Sequence, residues 1–212
     1  MYQKPAFATQ YSYHVYNRGV AKQPIFRDTN DYLRILSTFS FYLEKEIAQK
    51  YSTTTKEDLN KILSQTAKNP IVQINAYCLM LNHFHLIIKQ LAENGISQFM
   101  SKTLNSYTRY FNTKHDRVGP IFQGDFKAVL IENDEQFSHL SRYIHLNPFI
   151  AEIIKSSANY RWSSYGQYLR EEKNRLCTPI YSTSKEEYKK FVEDYASYAI
   201  DIARIKKLLI DI

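Results

Sequence analysis

Two apolar runs separated by a single polar residue constrain the fold of this chain more than any other feature. The first run covers residues 71–81, and the second begins after Asn82 and continues to Lys89. Apolar runs of this length, bounded by polar residues, are typical of buried strands. We therefore predict an antiparallel β-hairpin with its turn at Leu81 and Asn82.

The second strand of this hairpin begins with a pair of histidines. Side chains alternate between the faces of a strand, so His83 and His85 share one face while Phe84 takes the other. Two adjacent imidazoles near a sheet end can chelate a divalent cation. A His-x-His pair by itself is more often packed or hydrogen-bonded than metal-binding. The pair becomes a candidate metal site only if the chain supplies a third ligand and a reactive group.

Further strands and helices are predicted on both sides of the hairpin. Residues 11–19 read as a strand that ends at a glycine turn, and residues 122–131 read as another strand. Asp28 and Asn133 are good N-cap residues for two helices, and Gly95 precedes a third helix with a continuous apolar stripe. The chain is thus expected to combine strands with long amphipathic helices.

Three polar side chains in these elements bear on the histidine pair. His14 lies on the opposite face of its strand from the apolar residues, and we interpret it as an ordinary sheet histidine. Tyr143 and Asn147 are four residues apart and therefore share one face of their helix. Because Pro148 disfavours helical geometry in the residue before it, Asn147 is predicted in or just past the last turn. From spacing alone, Tyr143 is more simply explained as a partly buried aromatic.

Charge and aromatic content indicate the class of partner. The net charge is +7, from 28 Lys and Arg against 21 Asp and Glu, and the chain contains 18 Tyr and 12 Phe. Cations bind phosphates and aromatic rings stack on unpaired bases, so a single-stranded nucleic acid is a plausible partner. A solvated basic surface is the alternative interpretation. The candidate DNA-binding residues are Arg18, Lys89, Arg109, Lys114, Arg117, Lys127 and Arg142.

Several other functional classes find no support in the sequence. There is no P-loop, no Gly-rich dinucleotide turn and no Gly-x-Ser-x-Gly elbow. No apolar run reaches the ~18 residues that a membrane-spanning helix needs, and no secretory signal follows Met1. The two cysteines, Cys78 and Cys177, are far apart and form no metal motif or disulfide framework. We expect a protein of the reducing cytoplasm.

Five sequence blocks in a fixed order resemble the REP-associated tyrosine transposases, single-tyrosine members of the HUH class of DNA nicking and joining enzymes. In chain order the blocks are YHVYNRG at 13–19, MLNHFHL at 80–86, YTRYFN at 107–112, GPIFQ at 119–123 and RYIHLNP at 142–148. Each block alone is weakly specific, but the ordered set is quite specific and covers roughly residues 10–170. One departure is Leu81, where the family usually has proline before Asn-His.

The resemblance implies an α+β fold with a ferredoxin-like antiparallel sheet and helices packed on it. It divides the chain into a catalytic domain at residues 1–175 and a C-terminal helical extension at 176–212. That extension contains a predicted helix capped by Ser184 and Glu187, with an apolar stripe that could continue through 202–212. The resemblance leaves open a monomer or a homodimer, with the tyrosine serving its own or a neighbouring subunit.

The resemblance also assigns roles to individual residues. His83, His85 and Asn147 would hold a divalent cation, Mg²⁺ or Mn²⁺, and Tyr143 would be the nucleophile. The expected reaction is nicking of single-stranded DNA beside a hairpin through a 5′-phosphotyrosine, followed by strand transfer. Two alternatives remain, a metal nuclease in which water attacks and a hairpin-binding protein without turnover. Tyr107 and Tyr110 are less suitable nucleophiles, because they belong to the apolar stripe of their helix and lack Asn or Gln four residues later.

Overall fold

A four-stranded antiparallel sheet forms the centre of the computed structural model, which describes residues 5–45, 49–154, 156, 159–170, 174–180 and 184–201. Its spatial order is β2-β3-β1-β4. The strands are β1 (Ser12–Arg18), β2 (Val72–Met80), β3 (His83–Gln90) and β4 (Lys127–Ile131). With a helix between β1 and β2 and another between β3 and β4, this is the ferredoxin-like arrangement. The predicted fold class is confirmed.

One face of the sheet is covered by helices α1 (Thr29–Phe41) and α3 (Gly95–Lys114), with α2 (Lys56–Ser64) packed beside α1. The core here is aromatic, and Phe39, Phe84 and Phe99 are all fully buried. Asp28 caps α1, as predicted, because its carboxylate accepts hydrogen bonds from two backbone N–H groups of the first turn.

The opposite face is covered by α4 (Asp134–Ile150), α5 (Tyr165–Arg170) and α6 (Lys185–Glu193). Asn133 caps α4 and Ser184 caps α6, the latter in a capping box with Glu187. Alternation in β3 turns His83, His85 and Ile87 towards this layer and Phe84 towards α1 and α3. The helix that carries Tyr143 therefore packs on the histidine face of the sheet.

Two element boundaries can be compared with their predictions. Helix α4 continues through Pro148 to Ile150, so Asn147 lies in its last turn, as predicted. The proline removes only its own N–H from the helix, and the following turn is closed by the Ala151 N–H bonded to the Asn147 carbonyl. The predicted strand 122–131 was wrong at its start, because a turn with Gly124 at φ +70° delays the start of β4 to Lys127.

The C-terminal part of the described chain packs on the same face as α4. A buried hydrogen-bond network joins Tyr188 of α6 to His145 and Ser141 of α4. Cys78 and Cys177 are buried free thiols. The predicted continuation through 202–212 lies outside the described residues. Among the residues that are described, no helix is long and apolar enough to cross a membrane.

Candidate active site

The two histidines lie side by side at the start of β3, in the arrangement that alternation predicts. Their ring centroids are 5.1 Å apart and the ring planes are nearly perpendicular. His85 is 8% exposed, whereas Phe84 between them is fully buried in the core on the other face. The β-hairpin thus presents two imidazoles together at one edge of a cleft.

Helix α4 brings Tyr143 and Asn147 to these histidines. The Tyr143 ring meets the His85 ring edge to face, with centroids 5.7 Å apart. One turn later lies the buried Asn147, whose Nδ2 donates to the Tyr143 carbonyl at 3.4 Å and whose side chain is close enough to His83 to interact with its ring. Tyr143 remains 45% exposed, so its position is open to the cleft rather than part of the core. All four residues that the sequence singled out therefore come together.

The outer nitrogen of each imidazole is held by a neighbour. His85 Nδ1 lies 2.9 Å from Nε2 of His14 on β1, and His83 Nδ1 lies 2.7 Å from Oδ1 of Asn82. Such bonds fix the orientation of a ring and leave its other nitrogen for an ion. His14 therefore belongs to the site, and its interpretation as an ordinary sheet histidine missed this role.

Burial keeps these histidines neutral. Burial and the nearby positive charge of Arg18 lower the pKa of His83 to about 4, and burial lowers the pKa of His14 to about 4. The pKa of His85 falls well below its usual value, mainly through burial and then through its histidine neighbours. Because only a neutral imidazole can bind a metal, the rings are ready to do so near neutral pH.

The donor set suits a divalent cation with open coordination positions. Across the described parts of the chain, no group of three or more His, Cys, Asp or Glu side chains could hold a metal. The set here consists of two neutral imidazoles and one amide, which bring no charge of their own. An ion held by His83, His85 and Asn147 would keep its full charge for an anionic ligand, and Mg²⁺ and Mn²⁺ fit this use.

The cleft in front of these residues has a volume of about 540 Å³. Arg18 and Lys127 line it from β1 and β4, so two of the predicted DNA-binding residues lie where a phosphate at Tyr143 would need counter-charge. Tyr16 and Gln123 also line the cleft, and neither was singled out from the sequence. Both lie within the sequence blocks, Tyr16 in residues 13–19 and Gln123 in residues 119–123, and this is the signal that could have identified them.

The other predicted DNA-binding residues lie away from the cleft. Lys89 is six residues from His83 along β3, which is about 20 Å of strand. The Arg142 guanidinium stacks between the rings of Phe191 and Tyr195, at 4.1 Å and 3.9 Å from their centroids. It therefore contacts the C-terminal region.

Arg109, Lys114 and Arg117 lie on or just after α3, which packs on the opposite face of the sheet from His83. Lys114 is bound by both Asp28 and Asp31 at 2.7 Å. The Arg117 guanidinium lies 5.7 Å from the centroid of the Phe111 ring.

The two alternative tyrosines are also on the far side of the sheet. Tyr107 is fully buried, and its hydroxyl donates to the Ile25 carbonyl. Burial raises the pKa of Tyr107 far above its usual value and raises that of Tyr110 more modestly. The prediction that Tyr107 is core is confirmed, whereas Tyr110 is only partly buried and lines the surface of α3. Two tyrosines lie beside His85, namely Tyr143 and Tyr16, and Tyr143 is the one whose helix also carries Asn147.

Comparison with known proteins adds two findings. A family model described as "Transposase IS200 like" matches residues 41–147, a range that contains His83, His85, Tyr143 and Asn147. A solved structure described as the REP-associated tyrosine transposase bound to a REP hairpin superposes with a TM-score of 0.55. It is 14% identical, and the match covers 87% of this chain and 94% of that one, so the likeness concerns the fold. No curated protein matches the chain in sequence.

Proposed function

The chain belongs to the IS200-like transposase family, and from this membership we propose that it nicks and rejoins single-stranded DNA beside a hairpin through a covalent tyrosine intermediate. One observation supports this proposal above all others. Tyr143 and Asn147 lie against His85 and His83, with the tyrosine exposed to the cleft. A nucleophile next to a neutral ligand set is the arrangement that such chemistry requires.

The first step would be attack of the Tyr143 hydroxyl oxygen on the phosphorus of the scissile phosphodiester. The bond from phosphorus to the 3′ oxygen breaks, the 5′ end becomes linked to Tyr143, and the leaving oxygen takes a proton to become a 3′-hydroxyl. A second 3′-hydroxyl then attacks the phosphotyrosine, forms a new phosphodiester and regenerates the tyrosine. Each step exchanges one phosphoester for another, so no ATP is needed.

His83, His85 and Asn147 would hold the divalent cation, which when bound neutralises phosphate charge and orients the phosphate for in-line attack. Around it, His14 fixes the His85 ring. Arg18 and Lys127 lie in the cleft and would hold the DNA backbone on either side of the scissile phosphate. The half-buried position of Tyr143 keeps its hydroxyl near this phosphate while allowing it to carry a DNA strand.

A DNA hairpin is the proposed recognition element. The solved relative in fold is described as bound to a REP hairpin, and a hairpin would leave the flanking strand unpaired for the cleft. We propose hairpin-containing single-stranded DNA as the substrate class.

The test is incubation of the full chain with a pool of hairpin-containing single-stranded DNA and Mn²⁺. We expect a protein–DNA adduct that survives denaturant, and its loss in Tyr143→Phe. Tyr198→Phe is the matched control, since Tyr198 is exposed on the C-terminal segment. Cleavage that persists in Tyr143→Phe would favour hydrolysis by water, and binding without any cleavage would favour a hairpin-binding protein.

A further inference from the structure

A basic groove lies on the outer surface of α1 and α3, on the opposite face of the sheet from Tyr143. This α1–α3 groove has a volume of about 790 Å³. Its cations are Arg34, Lys50, Lys102, Arg109 and Lys114. None of the described residues that line it is an Asp or a Glu. Such a surface attracts a polyanion.

The cations of this groove are of two kinds. Lys114 is neutralised by Asp28 and Asp31, and Arg34 is fixed in the wall. The Arg34 guanidinium lies 3.6 Å from the Tyr51 ring centroid and donates to Ser106 Oγ at 3.2 Å. Its Nε is buried and has no hydrogen-bond partner among the described residues.

Lys102 and Arg109 are exposed on α3 and face solvent. They lie seven residues apart, two helical turns, which is about 10 Å along the helix. The positive charge available for a ligand on α3 therefore comes from this pair.

A second groove connects the α1–α3 groove to the active-site cleft. This loop groove, about 780 Å³ in volume, lies between α3 and residues 119–126. Asn105 lines both the α1–α3 groove and the loop groove, and Gln123 lines both the loop groove and the active-site cleft. Each depression therefore shares a wall residue with the next, and the three form a path of neighbouring depressions from the cleft to α3.

The lining of the path changes along its length. Arg18 and Lys127 provide charge in the cleft, and Lys102 and Arg109 provide charge in the α1–α3 groove. The loop groove between them is mainly apolar, with the exposed Val20 and Pro120 and the partly buried Leu104 among its lining residues and Asp125 as its one acid in the described chain. A single strand matches this sequence of surfaces, since it offers both phosphates and unpaired bases, whereas a duplex keeps its bases stacked inside.

We propose that this path is a track for single-stranded DNA, which leaves the active-site cleft past Gln123, crosses the loop groove and binds Lys102 and Arg109 through its phosphates. The inference rests on the proposed function and adds a second contact region to it. It predicts that a long unpaired flank binds more tightly than a short one, because only the long flank reaches α3.

The test compares wild type with Lys102→Ala/Arg109→Ala, using fluorescence anisotropy and hairpin DNA with flanks of about 4 to about 16 nucleotides, the usual range of single-strand site sizes. Lys189→Ala/Lys190→Ala on α6 is the matched control, since it removes two exposed lysines away from the path. For the DNA with the long flank, the double variant should bind about tenfold more weakly than wild type, so that lengthening the flank raises its affinity less. The slope of log affinity against log salt should become shallower by about 1.4, or about 0.7 for each lost phosphate contact.

Lys102→Glu provides a second variant, with a larger expected loss from charge repulsion. Thermal unfolding of each variant should match wild type, since both positions are exposed. If the affinity of both α3 variants depends on flank length as that of wild type does, the proposed track is overturned and the proposed function stays intact. Failure of wild type to bind any single-stranded DNA would overturn the proposed function itself, and the track with it.

Discussion

The buried network between α4 and α6 allows a quantitative prediction for Tyr188→Phe. The Tyr188 hydroxyl donates to Ser141 Oγ at 2.9 Å and shares a hydrogen bond with His145 Nδ1 at 2.7 Å. His145 also bonds Ser164 Oγ at 2.8 Å and is fully buried. The network therefore ties the C-terminal helix to the helix that carries Tyr143.

Removal of this hydroxyl deletes two hydrogen bonds without a change of shape. Ser141 keeps its bond to the Ser138 carbonyl at 2.8 Å, whereas His145 Nδ1 is left buried without a partner. A buried unpaired group costs about 1–3 kcal/mol, so the free energy of unfolding should fall by about 2 kcal/mol. For a chain of this length the midpoint of thermal unfolding should fall by about 4–8 °C.

The assay is urea unfolding of the wild type and the variant, with Tyr198→Phe as the control. Tyr198 is 58% exposed, so its hydroxyl is replaceable by water and its loss should change stability by less than about 0.5 kcal/mol. Equal stability of Tyr188→Phe and Tyr198→Phe would refute the reasoning that the network holds α6 on α4.

Two further predictions concern buried histidines. Burial lowers the pKa of His145 from 6.5 to about 3, so the unfolded chain binds a proton that the folded chain does not, and stability must fall as pH falls below 6.5. At about pH 5 this loss should be about 2 kcal/mol. Unfolding measured across pH should show a fall in stability that is smaller by this amount in His145→Gln, with the contributions of His14, His83 and His85 remaining, whereas an unchanged profile would contradict the prediction. His14→Phe should weaken Mn²⁺ binding by about 10- to 100-fold, because His85 loses the hydrogen bond that orients its ring. Titration calorimetry measures this affinity. His14→Gln should restore part of that affinity, and equal Mn²⁺ binding by wild type and His14→Phe would exclude this role.

Local features of the fold could be predicted because short-range chemistry determines them. Alternation placed His83 and His85 on one face and Phe84 on the other, and the caps at Asp28 and Asn133 lie where the sequence indicated. The four-residue spacing of Tyr143 and Asn147 likewise follows from helix geometry alone.

Features that depend on long-range packing could not be predicted in the same way. His14 reaches His85 only because β1 inserts between β3 and β4, and nothing local in the sequence specifies that order. Arg142 has the chemistry of a DNA-binding residue, yet the docking of α6 gives it aromatic neighbours. Pro148 does not end α4, which continues two residues past the proline, although Asn147 lies in the last turn as the sequence indicated.

The central claim, that Tyr143 is the nucleophile, is tested most directly by mass spectrometry of the trapped protein–DNA adduct. Trypsin should release a peptide from Tyr143 to Lys155, and that peptide contains a single tyrosine. We predict that the nucleotide phosphate is attached to this tyrosine and that His83→Ala/His85→Ala yields no adduct. DNA cleavage with the modification on Tyr107, Tyr110 or any other residue, or with no covalent modification at all, would contradict the proposed mechanism.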